Sequence, residues 1–321
     1  MTDDGPIAPG TLPISTHAPG KCIVFGEHAV VHGRPELLLA VDLYTQVVVQ
    51  SAAASVLNGD PRASRDHPYF AAALERLGSG MPPLDVRTVS RVPRAAGLGS
   101  SAAFCAALAA ALLSATGGAS RAHLAEVAFA IERAAQGVGS PGDTSASVGG
   151  GLLSVNVGAD DPLWSLTDGE HVWEVRRVRD PSWVWLVAFS GVPRSTGDAV
   201  RAVGERLRRP DGAILLDRFT QVATEGIRAV EREDRTEVGR CMIANQELLV
   251  EVGVSHPRLE ALLTAVAPFS HGAKITGAGA GGSVVALPRP GEEMKAARAV
   301  TRAGGVPFVV RASPSGASLD P

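Results

Sequence analysis

Residues 93–103 read PRAAGLGSSAA, a glycine-serine turn that runs straight into an alanine-rich helix. Gly97 and Gly99 carry no Cβ, so the backbone can approach a ligand closely. The helix beginning near Ser100 turns its unsatisfied N–H groups and the positive end of its dipole the same way. Such a mouth binds phosphate. The turn departs from both familiar glycine signatures, since no Lys follows it as G-x-x-x-x-G-K-[ST] requires and the G-x-G-x-x-G spacing is absent. On local grounds it suits a tight connection capped by Ser equally well. Two more glycine-rich segments stand far from it, APGKCIVFGEHAVVHG at 18–33 and KITGAGAGGS at 274–283. The four glycines of the last segment cost conformational entropy, which close approach to a ligand would offset; a flexible turn is the plain alternative.

Two acids stand in unusual places. Glu132 interrupts the apolar helix VAFAIERAA, where a carboxylate needs a partner or a metal, and its neighbour Arg133 points elsewhere on a helix. An ion pair with another Arg is the structural alternative. Asp143 lies in SPGDTSAS, a Gly/Pro/Ser turn in which Asp commonly caps its own backbone. His28 and His32 have the i, i+4 spacing of a metal site, but the helix is insecure there and no third ligand is evident. Cys22, Cys105 and Cys241 show neither C-x-x-C nor Cys/His spacing, which argues against a disulfide framework and a zinc site and for the cytosol.

The elements that must position these groups read as α+β. A chain of 321 residues predicts two domains sharing a cleft. Short strands at Ile14–Ser15 and Cys22–Phe25, then Leu37–Val49 and Leu84–Val92, precede helices at 101–115 and 121–135. A polar stretch at 158–169 separates further strands, 152–157 and 172–177. After a strand at 183–189 the pattern turns mainly helical, then closes with strands near Ile275, 283–287 and 307–311. Strands and helices mixed without regular alternation argue against a doubly wound sheet. The ends, 1–13 and 312–321, are rich in small and polar residues and are expected to be disordered. The longest apolar run, Ala102–Leu113, is too short for a bilayer and suits a buried helix, and the start lacks a secretory signal. A net charge of −3 gives no electrostatic reason for a nucleic-acid or anionic-membrane partner.

Taken in order, the three glycine-rich segments resemble the GHMP kinase superfamily, named for galactokinase, homoserine kinase, mevalonate kinase and phosphomevalonate kinase. GEHAVVHG at 26–33 and NQELLVEVGVSHPRLEALL at 245–263 are similar to its mevalonate kinase members, and GSPGDTSAS at 139–147 to the shorter archaeal type. The resemblance implies an N-terminal mixed α/β domain (14–180), a ferredoxin-like C-terminal domain (181–311) and an active site in the cleft between them. It implies ATP as co-substrate, Mg²⁺, mevalonate as acceptor and a homodimer. It places Lys21 and Asp143 as the catalytic pair and Ser101 with Glu132 as metal ligands. The nucleotide side comprises Pro93, Ala96, Gly97, Leu98, Gly99, Ser100, Ser101 and Ala102. The acceptor side comprises Glu27, His28, Arg194, Ser195, Thr196, Gly277, Ala278 and Gly279, although 190–200 reads nearly as well as a solvated connection with Ser195 or Thr196 as a cap. An ammonium beside the Asp143 carboxylate lowers the cost of a developing alkoxide. Relatives acting on phosphorylated substrates would line the acceptor pocket with extra cations, and a non-catalytic relative would lack Lys21, Glu132 or Asp143. Ala280 and Ser283 replace a Gly and a frequent Cys of the family wording, with small effects expected.

Overall fold

The computed structural model describes residues 5–137, 139–158, 161–193 and 196–320. The first half contains strands β1 (Ile14–Phe25), β2 (Glu36–Ser51), β3 (Val56–Leu57), β4 (Leu84–Ser90), β5 (Leu152–Val155), β6 (Trp164–Thr167) and β7 (Val172–Val178). Its helices are α1 (Ala63–Asp66), α2 (Pro68–Leu77), α3 (Ser100–Ala115), α4 (Arg121–Gln136) and α5 (Gly142–Gly149). The second half contains β8 (Trp185–Phe189), α6 (Thr196–Leu207), α7 (Gly212–Glu231), α8 (Arg235–Glu251), α9 (Pro257–Val266), β9 (Ser270–Thr276), β10 (Ser283–Pro288), α10 (Glu293–Arg302) and β11 (Val306–Val310). A last short strand, β12 (Ser318–Leu319), returns to the first half.

The larger sheet runs β12-β1-β2-β5-β7-β6, with β4 pairing both β2 and β3. The smaller is antiparallel throughout in the order β11-β8-β10-β9. With helices between β8 and β9 and between β10 and β11, that is the β-α-β-β-α-β arrangement of a ferredoxin-like unit. The β1 stretch reads as two strands because Pro19-Gly20 interrupts it. In the structure one strand continues through, absorbing the break as a register irregularity between Pro19 and Gly20.

Helix α3 has 13 of its 16 residues buried, which explains its lack of a polar face. It lies against β1 and β2 on one side and α4 on the other, and the Thr16 hydroxyl of β1 donates to Ala107 O at 2.8 Å. A second apolar cluster runs from Cys22, Val24 and Leu39 of the large sheet to Trp185, Val187 and Leu287 of the small one, with Ile227 of α7 and Met242 of α8. The two halves thus share a core, and burial across it fixes the cleft.

Three expectations need correction. The segment around Asp143 is a helix, α5, rather than a turn: Gly, Ser and Thr are weak helix formers, but nearly the whole segment is buried, against α4, α3 and β1. The polar stretch 158–169 contains β6, whose Trp164 and Leu166 are buried while Ser165 and Thr167 face solvent, an alternation too short to stand out. The ends expected to be disordered are docked where described. Ile7 bridges Ala119, β12 pairs with β1, and the Arg121 guanidinium donates to Gly5 O at 2.7 Å and to Ala317 O. Among the described residues no helix is long and apolar enough to cross a membrane.

Candidate active site

Lys21 and Asp143, distant in sequence, meet in the cleft. Lys21 sits in β1 with its N–H donating to Leu98 O at 2.9 Å, and its Nζ lies 2.8 Å from Asp143 Oδ1 and 3.5 Å from Gly97 O. The ammonium is 1% exposed and the carboxylate 35%, so the cation is fixed while the acid reaches open space. That space is a cleft of about 1020 Å³, lined by both residues and by the glycine turn before α3.

The turn is held from behind. Ser283 of β10 donates its hydroxyl to Ala96 O at 2.8 Å, and Lys21 occupies Leu98 O, so both carbonyls are taken up by the protein. Gly97 and Gly99 adopt φ of 81° and 68°, the left-handed region that L side chains resist. A Cβ at 99 would also lie 2.8 Å from Lys21 Cγ. Helix α3 therefore opens on the cleft at Ser100 beside the Lys21 stem.

Ser101 donates its hydroxyl to Glu132 Oε1 at 2.7 Å, and Gln136, one turn later on α4, donates to the same oxygen at 3.0 Å. Burial first, and the Asp143 charge second, push the Glu132 carboxyl up to about 7 despite those hydrogen bonds. A buried carboxylate joined to a hydroxyl on the wall of an open cleft is a hard oxygen donor set, and it fits Mg²⁺, which retains several ligands of its own.

The cleft is lined by further acids, Glu27 and Glu36, that the sequence reading only partly anticipates. Glu27 is buried and paired with the fully buried Lys274, which also donates to Ile275 O at 2.7 Å. Desolvation pushes the Glu27 carboxyl up and the Lys274 ammonium down, each opposed by the other's charge. His28 adopts φ of 64° and its Nε2 lies 3.2 Å from Ala278 O. Thr276 of β9 stitches the halves together, its hydroxyl accepting from Ile23 N at 2.8 Å and lying 3.0 Å from Ile23 O.

Of the residues assigned in advance, Lys21, Glu27, His28, Gly97, Gly99, Ser100, Ser101, Glu132, Asp143, Gly277 and Ala278 line the cleft together. Pro93, Ala96, Leu98 and Ala102 do not; Ala96 and Leu98 are buried in the shared core and anchor the turn. Gly279 is also absent from the lining: a Cβ there would meet Val254 O at 2.5 Å, so its bareness serves packing against the turn after α8. Arg194 and Ser195 lie outside the described residues, as does the side chain of Thr196, the first residue of α6. Glu36 and Lys274 were missed. Glu36 heads the apolar run ELLLAV, the same kind of signal that drew attention to Glu132.

Family models for the GHMP kinases N terminal domain and the GHMP kinases C terminal match residues 68–151 and 227–306. A mevalonate kinase of Methanothermobacter thermautotrophicus is 33% identical over 85% of this chain and 89% of its own length. The chain belongs to the GHMP kinase family. Among solved GHMP folds, L. major mevalonate kinase in complex with R-mevalonate superposes with a TM-score of 0.77 at 21% identity, covering 96% of this chain and 99% of that one. Lactococcus lactis galactokinase complexed with galactose does almost as well, with 0.76 at 17% identity over 96% and 95%. The fold is thus shared across GHMP kinases with different acceptors, and the acceptor must be argued from sequence kinship and from the site.

Proposed function

We propose that this enzyme transfers the γ-phosphoryl group of ATP to the terminal hydroxyl of (R)-mevalonate, giving 5-phosphomevalonate and ADP. The observation that carries the reading is the convergence of Lys21 and Asp143 at 2.8 Å beside the glycine turn and the first residues of α3, in a chain similar to mevalonate kinases along most of its length.

Gly97, Gly99 and Ser100 form the backbone cradle for the nucleotide phosphates. Ser101 and Glu132 hold Mg²⁺, which when bound neutralises charge on the phosphate oxygens. Asp143 accepts the hydrogen of the acceptor hydroxyl and orients that oxygen. Lys21, fixed by its burial, offsets negative charge as the hydroxyl oxygen attacks. Glu27 and His28, which line the same cleft, contact the acceptor. Positioning and charge stabilisation dominate such a transfer, since little covalent chemistry falls to the protein. Its cysteine usage further leads us to place the enzyme in the cytoplasm, and family resemblance leads us to make it a homodimer.

A coupled assay of ADP release with mevalonate, phosphomevalonate and galactose tests the acceptor. Turnover confined to mevalonate is expected, and preference for either alternative would overturn the reading. Asp143→Ala should lower kcat at least about a hundredfold with nucleotide binding retained.

A further inference from the structure

Glu36 is an acid on the cleft wall that the mechanism above leaves unused. It opens β2, is 1% exposed, and its Oε2 has no hydrogen-bond partner among the described residues. The room for it is made by Gly142, where a Cβ would overlap Oε2, so the carboxyl rests against the first turn of α5, one residue from Asp143. A buried carboxyl oxygen without a partner is costly unless a ligand completes it.

The charged groups facing Glu36 are Asp143 on α5, Lys21 on β1, Glu27 in the turn after β1 and Lys274 on β9. These four already form two neutral pairs, Lys21 with Asp143 and Lys274 with Glu27. An ionised Glu36 would therefore be a buried charge with no counterion. Burial, and then the neighbouring Asp143 charge, push its carboxyl well above the ordinary carboxylate range. A protonated carboxyl brings an O–H donor that the neighbouring Asp143 and Glu27 carboxylates lack.

We propose that Glu36 is a specificity-determining residue which, as a neutral carboxylic acid, donates a hydrogen bond from its buried carboxyl to an oxygen of the phosphoryl acceptor bound beside Asp143. This rests on the kinase reading above and deepens it. The donor favours acceptors that present a carboxylate or hydroxyl oxygen next to the reacting hydroxyl. Once ionised, Glu36 would instead repel an anionic acceptor, so affinity falls as pH rises through its titration.

Glu36→Gln preserves volume and an N–H donor but cannot ionise, whereas Glu36→Ala removes the donor. The acceptor KM is expected to rise about tenfold or more in Glu36→Ala, with the KM for ATP within twofold, and to stay within about threefold in Glu36→Gln. The wild-type acceptor KM should rise at alkaline pH, and Glu36→Gln should abolish that rise. An unchanged acceptor KM in Glu36→Ala, or an identical pH profile in Glu36→Gln, would overturn the inference. Infrared spectroscopy of the folded proteins at neutral pH provides a readout that needs no acceptor: the carbonyl band of a protonated carboxylic acid should stand in the difference spectrum of wild type minus Glu36→Gln, where the contributions of Glu132 and Glu27 cancel. Absence of that band overturns the inference whatever the acceptor. Failure of wild type to phosphorylate mevalonate, with the band present, counts against the functional reading alone.

Discussion

Gly99→Ala separates two jobs that one glycine performs. The residue holds φ of 68°, and an added Cβ would lie 2.8 Å from Lys21 Cγ and 3.0 Å from Lys21 Cε, whereas ordinary contact begins at 3.4 Å. The Lys21 stem must therefore retreat by about 0.6 Å, the gap between 2.8 and 3.4 Å. It has little room to do so, being buried and tied through its own N–H to Leu98 O, and any such retreat disturbs the 2.8 Å contact of its ammonium with Asp143. A misplacement of about 1 Å at a reacting group costs about a hundredfold, so a drop in kcat of roughly ten- to a hundredfold is expected. The left-handed backbone adds a stability cost of about 1–2 kcal/mol. Gly291→Ala is the control: φ there is 84° with nothing within 4 Å of the Cβ, so the backbone cost recurs while turnover stays near wild type. Steady-state kinetics and thermal melts on both variants, repeated for Gly99→Ala in a Lys21→Ala background, measure the coupling. Wild-type turnover in Gly99→Ala, or an undiminished loss once the Lys21 stem is gone, would refute the reasoning.

Lys274→Met leaves the Glu27 carboxylate buried without its counterion and should cost about 3–5 kcal/mol in thermal unfolding; adding Glu27→Gln should recover most of it. Ala280 adopts φ of 57° at an exposed position, so Ala280→Gly should stabilise by about 1 kcal/mol in denaturant melts, with kcat unchanged. Burial raises Asp320, but hydrogen bonds with Ser15, His17 and Gln46 outweigh it and hold the carboxyl below its ordinary value of 3.8. A folded value below the unfolded one means that this contribution is complete above 3.8 and is lost as pH falls through the lower folded value. Amide exchange in β12 should accelerate over that acid range in wild type, and in Asp320→Asn it should be fast already at neutral pH.

The legible parts of this protein were those whose physics is local. The turn at 97–99 is readable because only glycine tolerates its backbone, and α3 because thirteen buried residues in one helix leave a chain of Ala and Leu with no polar face. Glu132 announced itself by breaking an apolar run, and the structure supplies its Ser101 partner. Asp143 and Lys21 became candidates through kinship of wording, since nothing near either residue tells a carboxylate in a turn from one beside an ammonium.

Other features depended on contacts that composition does not record. Lys274 and Glu27 are 247 residues apart, and each reads as an ordinary charge until burial forces them together. Local preference made SPGDTSAS a turn, yet packing against α3, α4 and β1 made it a helix and set Asp143 on its first turn. Polar composition made the chain end look disordered, yet the Arg121 guanidinium and the free edge of β1 hold it. The sequence by itself therefore determined which backbone could cradle phosphate and which helix would be buried. The tertiary structure alone decided which charges face one another, because ion pairing acts through space at a few ångströms while backbone preference acts only between neighbours in the chain.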